Sequence, residues 1–152
     1  DDSQKQHAEN VSRIGSTIGA ALKLSETDLQ KLAEAGYYHD IGKVVSDSDQ
    51  HPAIGYRILN HFIKTMKLAD IVLAHHEKWD GTGYPDGIDG KKIPLLSRIL
   101  TVAEVYDRMI HPHTGVGCTK DAAYRKIVDG SGTCFDPDIV ETFAGLYLCN
   151  RL

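Results

Sequence analysis

Cysteine, proline, aromatic residues and long apolar runs are all scarce in this 152-residue sequence, and each scarcity removes a class of protein. The three cysteines, Cys118, Cys134 and Cys149, are odd in number and contain no CxxC pair, so neither a disulfide framework nor a zinc finger is indicated and a reducing cytoplasm is the expected setting. No apolar stretch could span a bilayer, and the polar start from Asp1 to Asn10 lacks the character of a secretory signal, so no membrane association is expected. Positive charge is short as well. Seventeen basic against 21 acidic residues leave a net −4, which argues against a broad footprint for duplex nucleic acid but leaves room for a small phosphorylated ligand held by a local basic group. With 41% hydrophobic residues and no composition shift, residues 1–152 read as one domain with one core.

What is present is helical periodicity. From His7, the positions Val11, Ile14, Ile18 and Leu22 trace one face, which turns His7 inward. Ser25 with Asp28 forms an N-cap signal for a second helix, whose face Leu29, Leu32, Gly36 and His39 delivers His39 and Asp40 at its end. His51-Pro52 opens another helix, and a further one is expected from about Lys67 to His76. Residues 79–90, with four glycines and a proline, exclude a regular element. Leu95 to Ile110 is apolar almost all round and predicts a helix packed on more than one side. Thr119–Asp129 and Pro137–Leu148 read as closing helices, the latter capped by Asp136. No strand pattern, repeat or low-complexity segment is visible.

Eight histidines in so small a chain carry information because several lie at helix ends or in apolar stripes with carboxylates beside them. Imidazole with carboxylate suits iron, manganese, zinc or nickel, and the lack of nearby cysteine disfavours a structural zinc. Each element is weak alone. A His39-Asp40 pair occurs at many solvated helix ends, His7 by itself reads as a satisfied core histidine, and His51 simply precedes a proline. His75-His76 point about 100° apart on a regular helix and converge only at a terminus or between two metals. Glu104, inside Ile99–Tyr106, would cost several kcal/mol if ionised and unpartnered, so it needs a metal or an arginine. Lys43 lies one turn beyond His39, where it could reach a phosphate oxygen. His61, His111 and His113 default to the surface.

In order, His39-Asp40-Ile41-Gly42-Lys43, His51-Pro52 with Gly55, His75-His76-Glu77, Asp80-Gly81-Thr82-Gly83-Tyr84-Pro85 with Gly87 and Gly90, and Ile99 through Asp107 closely resemble the HD-GYP family. The resemblance extends from His7 to the connection Gly132–Phe143. It implies an all-α, HD-superfamily helical bundle with a glycine-rich GYP loop, and hydrolysis of cyclic di-GMP. It also implies two divalent metal ions, iron or manganese. Carried over by position, one site is His7, His39, Asp40 and Glu104, and the other is Asp40, His51, His75 and His76, with Asp40 bridging. Such a pair lowers the pKa of a shared water and neutralises charge growing on phosphoryl oxygens. Asp40 and Lys43 are then the catalytic candidates, and Lys43, Tyr84, Arg108 and His113 the substrate-binding ones.

Four departures from the family pattern bear on function. Glu104 stands where aspartate is usual. Ser3 stands where members with a third metal carry glutamate, which predicts a two-metal centre. The stretch from His39 to His51 is short, so part of a lid is expected to be missing. After Asp107 the usual phosphate contacts give way to Arg108-Met109-Ile110-His111-Pro112-His113, so Arg108 or His113 must replace them or affinity for cyclic di-GMP falls. Three readings remain open on this basis: a cyclic di-GMP phosphodiesterase, a degenerate output domain acting through ligand or protein contacts at the glycine loop, and a phosphohydrolase of another nucleotide. An upstream sensory or receiver domain is a further expectation.

Overall fold

The computed structural model describes residues 2–152. Among them are seven α-helices and no β-strand: α1 Asp2–Ala21, α2 Glu26–Tyr38, α3 His51–Asn60, α4 Met66–Leu73, α5 Leu95–Ile110, α6 Lys120–Asp129 and α7 Pro137–Leu148. Short 3-10 turns at Ile41–Val44 and Gly90–Lys92 complete the path. No helix is long and apolar enough to cross a membrane.

Local chemistry accounts for most boundaries. The Ser25 side chain accepts from the Asp28 amide at 3.2 Å, Thr119 does the same for Ala122, and Asp136 for Asp138 ahead of Pro137, each satisfying a donor that a helix start leaves open. All seven helices contribute to one apolar core, in which α5 supplies Ile99, Leu100, Val102, Ala103 and Tyr106 and is flanked by α1, α2, α4, α6 and α7. Because α5 is covered on several sides, its polar positions Ser97, Thr101, Glu104 and Asp107 are buried as well, and each requires a partner.

One boundary differs from the sequence expectation. The helix predicted to reach His76 stops at Leu73, and the His75 ring donates to the Val72 carbonyl at 2.5 Å. That carbonyl is one of the last in α4, with no amide of a following turn to take it. His75 and His76 thus lie in a turn, freed from helical spacing, and their ring centroids come within 4.0 Å.

Two glycines permit close approaches that place the site. A Cβ on Gly42 would lie 2.0 Å from the His51 carbonyl oxygen, so only glycine lets the turn after Asp40 press against the start of α3. A Cβ on Gly83 would lie 2.5 Å from the His76 carbonyl and 2.3 Å from the Lys78 amide, so the glycine loop rests directly on the backbone that follows the histidine pair. The loop is ordered by its own bonds: Gly90 donates to Trp79 at 2.8 Å, Asp80 to Thr133 at 2.9 Å, and Tyr84 to the His76 carbonyl at 3.2 Å.

Candidate metal centre

Five segments deliver the candidate ligands to one place: His7 from α1, His39 and Asp40 from the end of α2, His51 from the start of α3, His75 and His76 from the turn after α4, and Glu104 from α5. Their donor atoms form three overlapping sets, each within 4.8 Å: His7, His39 and Glu104; Asp40, His75 and Glu104; His51, His75 and His76. Asp40 stands between the halves, with one carboxylate oxygen 3.4 Å from His39 Nε2 and the other 3.4 Å from His51 Nε2.

The imidazoles are aimed by the backbone. His39 Nδ1 donates to the Gly36 carbonyl at 2.7 Å, His51 Nδ1 to Ser48 at 2.8 Å, and His75 Nδ1 to Val72. A carbonyl only accepts, so each proton is fixed on Nδ1 and each Nε2 presents a lone pair to the centre. His7 is set by a carboxylate instead: its Nδ1 donates to Asp107 at 2.6 Å, and the same carboxylate accepts from Asn10 and His111 at 2.9 Å each. Asp107 and Asn10 were not among the sequence candidates. The visible signal was Asp107 three residues after Glu104, on the same face of a helix with few polar positions.

Electrostatics suit electron-pair donation at His75 and His76, whereas at His39 burial is outweighed by neighbouring Asp40 and the imidazole is pushed upward. Burial, together with neighbouring His76, pushes His75 down to about 3, and burial likewise lowers His76. Burial works against ionisation of Glu104, but the imidazoles of His76, His75 and His39 outweigh it and hold the carboxyl at about 2. Asp40 is held far below the carboxylate range because its bonds to His39, His51 and Lys43 outweigh burial. Four buried atoms facing the centre have no hydrogen-bond partner: His39 Nε2, His75 Nε2, Asp40 Oδ1 and Glu104 Oε2. Unpaired buried acceptors are costly. Their convergence, with only nitrogen and oxygen donors, fits divalent cations.

The four substrate-binding candidates also border this centre. Lys43 Nζ lies 2.7 Å from Asp40, and Arg108 Nη2 lies 3.0 Å from His7 Nε2 and 3.2 Å from both Asp40 and Glu104. Tyr84 stacks on His76 at 4.9 Å and lines a cavity of about 590 Å³ together with His76, Val105, Met109 and Phe135. His113 is exposed, as expected, and from the surface it sets its ring against His7 at 5.8 Å. The segment folds back because Cys118 donates to the Met109 carbonyl at 2.8 Å and Gly117 packs on Ile110 where no Cβ would fit. His61 is exposed beside Phe62 and takes no part. Glu77, third in the His-His-Glu motif, accepts the Asp86 and Gly87 amides at 2.7 and 3.1 Å and so ties down the glycine loop.

An all-helical frame around a convergent histidine and carboxylate centre defines a helical domain built to hold metal, and comparison with known proteins gives its family. The HD domain family model matches residues 45–139, a stretch that includes His51, His75, His76 and Glu104 but begins after His39 and Asp40. The chain belongs to the HD domain family, and its ordered motifs together with its relatives put it in the HD-GYP branch. It is 35% identical to the "Cyclic di-GMP phosphodiesterase response regulator RpfG" of Xanthomonas campestris pv. campestris, over 88% of this chain and 40% of that protein. It is 32% identical to a "Cyclic di-GMP phosphodiesterase" of Thermotoga maritima, over 93% and 44%. The chain thus spans less than half the length of these relatives. A cyclic GMP-AMP-specific phosphodiesterase of Vibrio cholerae shares the fold at a TM-score of 0.82 and 23% identity, covering 95% of this chain and 44% of that one.

Proposed function

We propose that this chain hydrolyses the phosphodiester bonds of cyclic di-GMP to the linear dinucleotide, with GMP as a further product, using two divalent metal ions, iron or manganese. The observation that carries the proposal is the convergence of seven predicted ligands on one centre with four buried acceptor atoms left unpartnered. His7, His39, Asp40 and Glu104 would hold one ion, and Asp40, His51, His75 and His76 the other. When bound, such ions supply water activation and neutralisation of phosphoryl charge.

The remaining steps fall to this chain's own groups. Lys43, held by Asp40 at 2.7 Å and 15% exposed, presents an ammonium at the rim, where it orients a phosphate oxygen. Arg108 and His113 supply the further polar contacts on the His7 side. The cavity beside Tyr84 offers an apolar wall of Val105, Met109 and Phe135 with Lys126 and Asp129 at its edge, a setting suited to a flat base with a polar rim. The relatives' printed names support the substrate class: some are cyclic di-GMP phosphodiesterases, and others are 3'3'-cGAMP-specific. The proposal extends to an upstream sensory or receiver domain, in keeping with the chain spanning 40% of a response regulator. It also extends to signalling-protein contacts through the exposed edge of the glycine loop at Thr82 and Pro85–Gly87.

The test is metal content and turnover of protein purified anaerobically and supplied with Mn²⁺ or Fe²⁺, with cyclic di-GMP and 3'3'-cGAMP compared side by side. Bound metal with turnover of cyclic di-GMP supports the reading. Bound metal without turnover of either nucleotide contradicts the reading and leaves a degenerate output domain or a phosphohydrolase of another nucleotide, and preference for the second nucleotide changes the substrate.

A further inference from the structure

Arg108 occupies an unusual position. Its Nη2 lies 3.0 Å from His7 Nε2, 3.2 Å from Asp40 Oδ2 and 3.2 Å from Glu104 Oε1, three of the four candidate ligands of the first subsite. One guanidinium nitrogen carries two N–H groups, so three acceptors meet two protons. The acceptors converge on a point, as they would around a cation, and do not pair off donor by donor. None of the second-subsite histidines contacts this arginine: His51 Nε2 and His76 Nε2 face each other at 3.1 Å.

We infer that Arg108 is an internal cation that competes with metal for the subsite of His7, Asp40 and Glu104, so that the two subsites load unequally and the second fills first. The inference rests on the metal-centre reading above. Charge supports it. Without metal, Lys43 and Arg108 offset the carboxylates of Asp40 and Glu104 one for one. A divalent ion in the first subsite would sit against the guanidinium and repel it. Arg108 can leave, because its side chain is 29% exposed and its Nε is buried without a hydrogen-bond partner, so the inward pose leaves one donor unsatisfied. Displaced outward, the guanidinium lies at the rim beside Lys43 and His113, where it is free to take a phosphate oxygen. Metal loading of the first subsite and exposure of a phosphate-binding arginine are thereby one event.

The experiment is anaerobic titration calorimetry with Mn²⁺ on the metal-stripped chain, its R108M and R108Q variants, and R57M as a control that removes an exposed charge elsewhere. Circular dichroism checks that each is folded. The parent is expected to bind one ion tightly and a second at least tenfold more weakly. R108M and R108Q are expected to raise the weaker affinity tenfold or more, leaving the tighter one within a factor of about two, and R57M to match the parent. Two ions bound by the parent with affinities that neither Arg108 variant changes would overturn the inference and leave the metal centre standing. Failure of parent and variants alike to bind Mn²⁺ would overturn the metal centre itself and this inference with it.

Discussion

Replacing Asp107 with asparagine tests how the first subsite is held without touching a proposed ligand. The carboxylate is 2% exposed; one oxygen accepts from His7 Nδ1 at 2.6 Å and the other from Asn10 and His111 at 2.9 Å each. An amide keeps one acceptor oxygen. Turned to satisfy Asn10 and His111, it directs its NH₂ at His7 Nδ1, a donor against a donor. The His7 proton can then move to Nε2, where it displaces the Arg108 Nη2 donor at 3.0 Å and removes the lone pair that a metal would need. Loss of such an orienting partner typically weakens metal binding 10–100-fold, roughly 1.4–2.7 kcal/mol. Separately, the charge-assisted hydrogen bond contributes about 1.5–3 kcal/mol to folding, which at roughly 2–4 °C per kcal/mol lowers the melting temperature of metal-free protein by about 3–12 °C. Mn²⁺ calorimetry and scanning calorimetry read the two effects. An Asp107→Asn protein that binds both ions with the parent's affinities would refute the claim that this carboxylate sets the His7 tautomer.

Asp40→Asn should lose one or both metals by elemental analysis while its circular dichroism stays helical, since this side chain supplies charge to the centre and little to the core; two tightly held ions in the variant would exclude Asp40 as the bridge. Glu104→Gln, which removes the charge at nearly constant volume, should lose bound metal, whereas Glu104→Asp should keep it and turn over cyclic di-GMP at least as fast as the parent; equal metal in the glutamine variant and the parent would show that Glu104 is not a ligand. Glu77→Ala leaves the Asp86 and Gly87 amides without their acceptor, so unfolding should cost about 1–3 kcal/mol less, seen as a melting temperature roughly 2–12 °C lower; an unchanged melt would mean that the glycine loop is held by other contacts.

The parts of the fold that follow one-dimensional rules were legible in the sequence. The inward face Val11, Ile14 and Ile18 that orients His7, the Ser25 cap, and the Asp136-Pro137 start of α7 all depend on residues within a turn or two of one another. Illegible features depend on contacts across the chain. The end of α4 is set partly by an imidazole taking the Val72 carbonyl, which helix periodicity does not register. Asp107 reads as another helical carboxylate until folding brings His7 to it across 100 residues. Arg108 was weighed as a phosphate contact, and the sequence indicated only that Glu104 needed a cation; that the same arginine reaches Asp40 and His7 depends on how α5 lies against α1 and α2. His113 lies at the surface as expected, but its approach to His7 was not legible, because the fold-back of residues 111–117 rests on the Cys118 amide and the close packing of Gly117.

The most direct measurement of the central claim is mass spectrometry of the products after the Mn²⁺-loaded chain is incubated anaerobically with cyclic di-GMP in H₂¹⁸O. Hydrolysis at this centre predicts a linear dinucleotide carrying one ¹⁸O in its new terminal phosphate, absent when the Asp40→Asn protein is used. Intact cyclic di-GMP after prolonged incubation of protein shown to hold both metals would contradict the account.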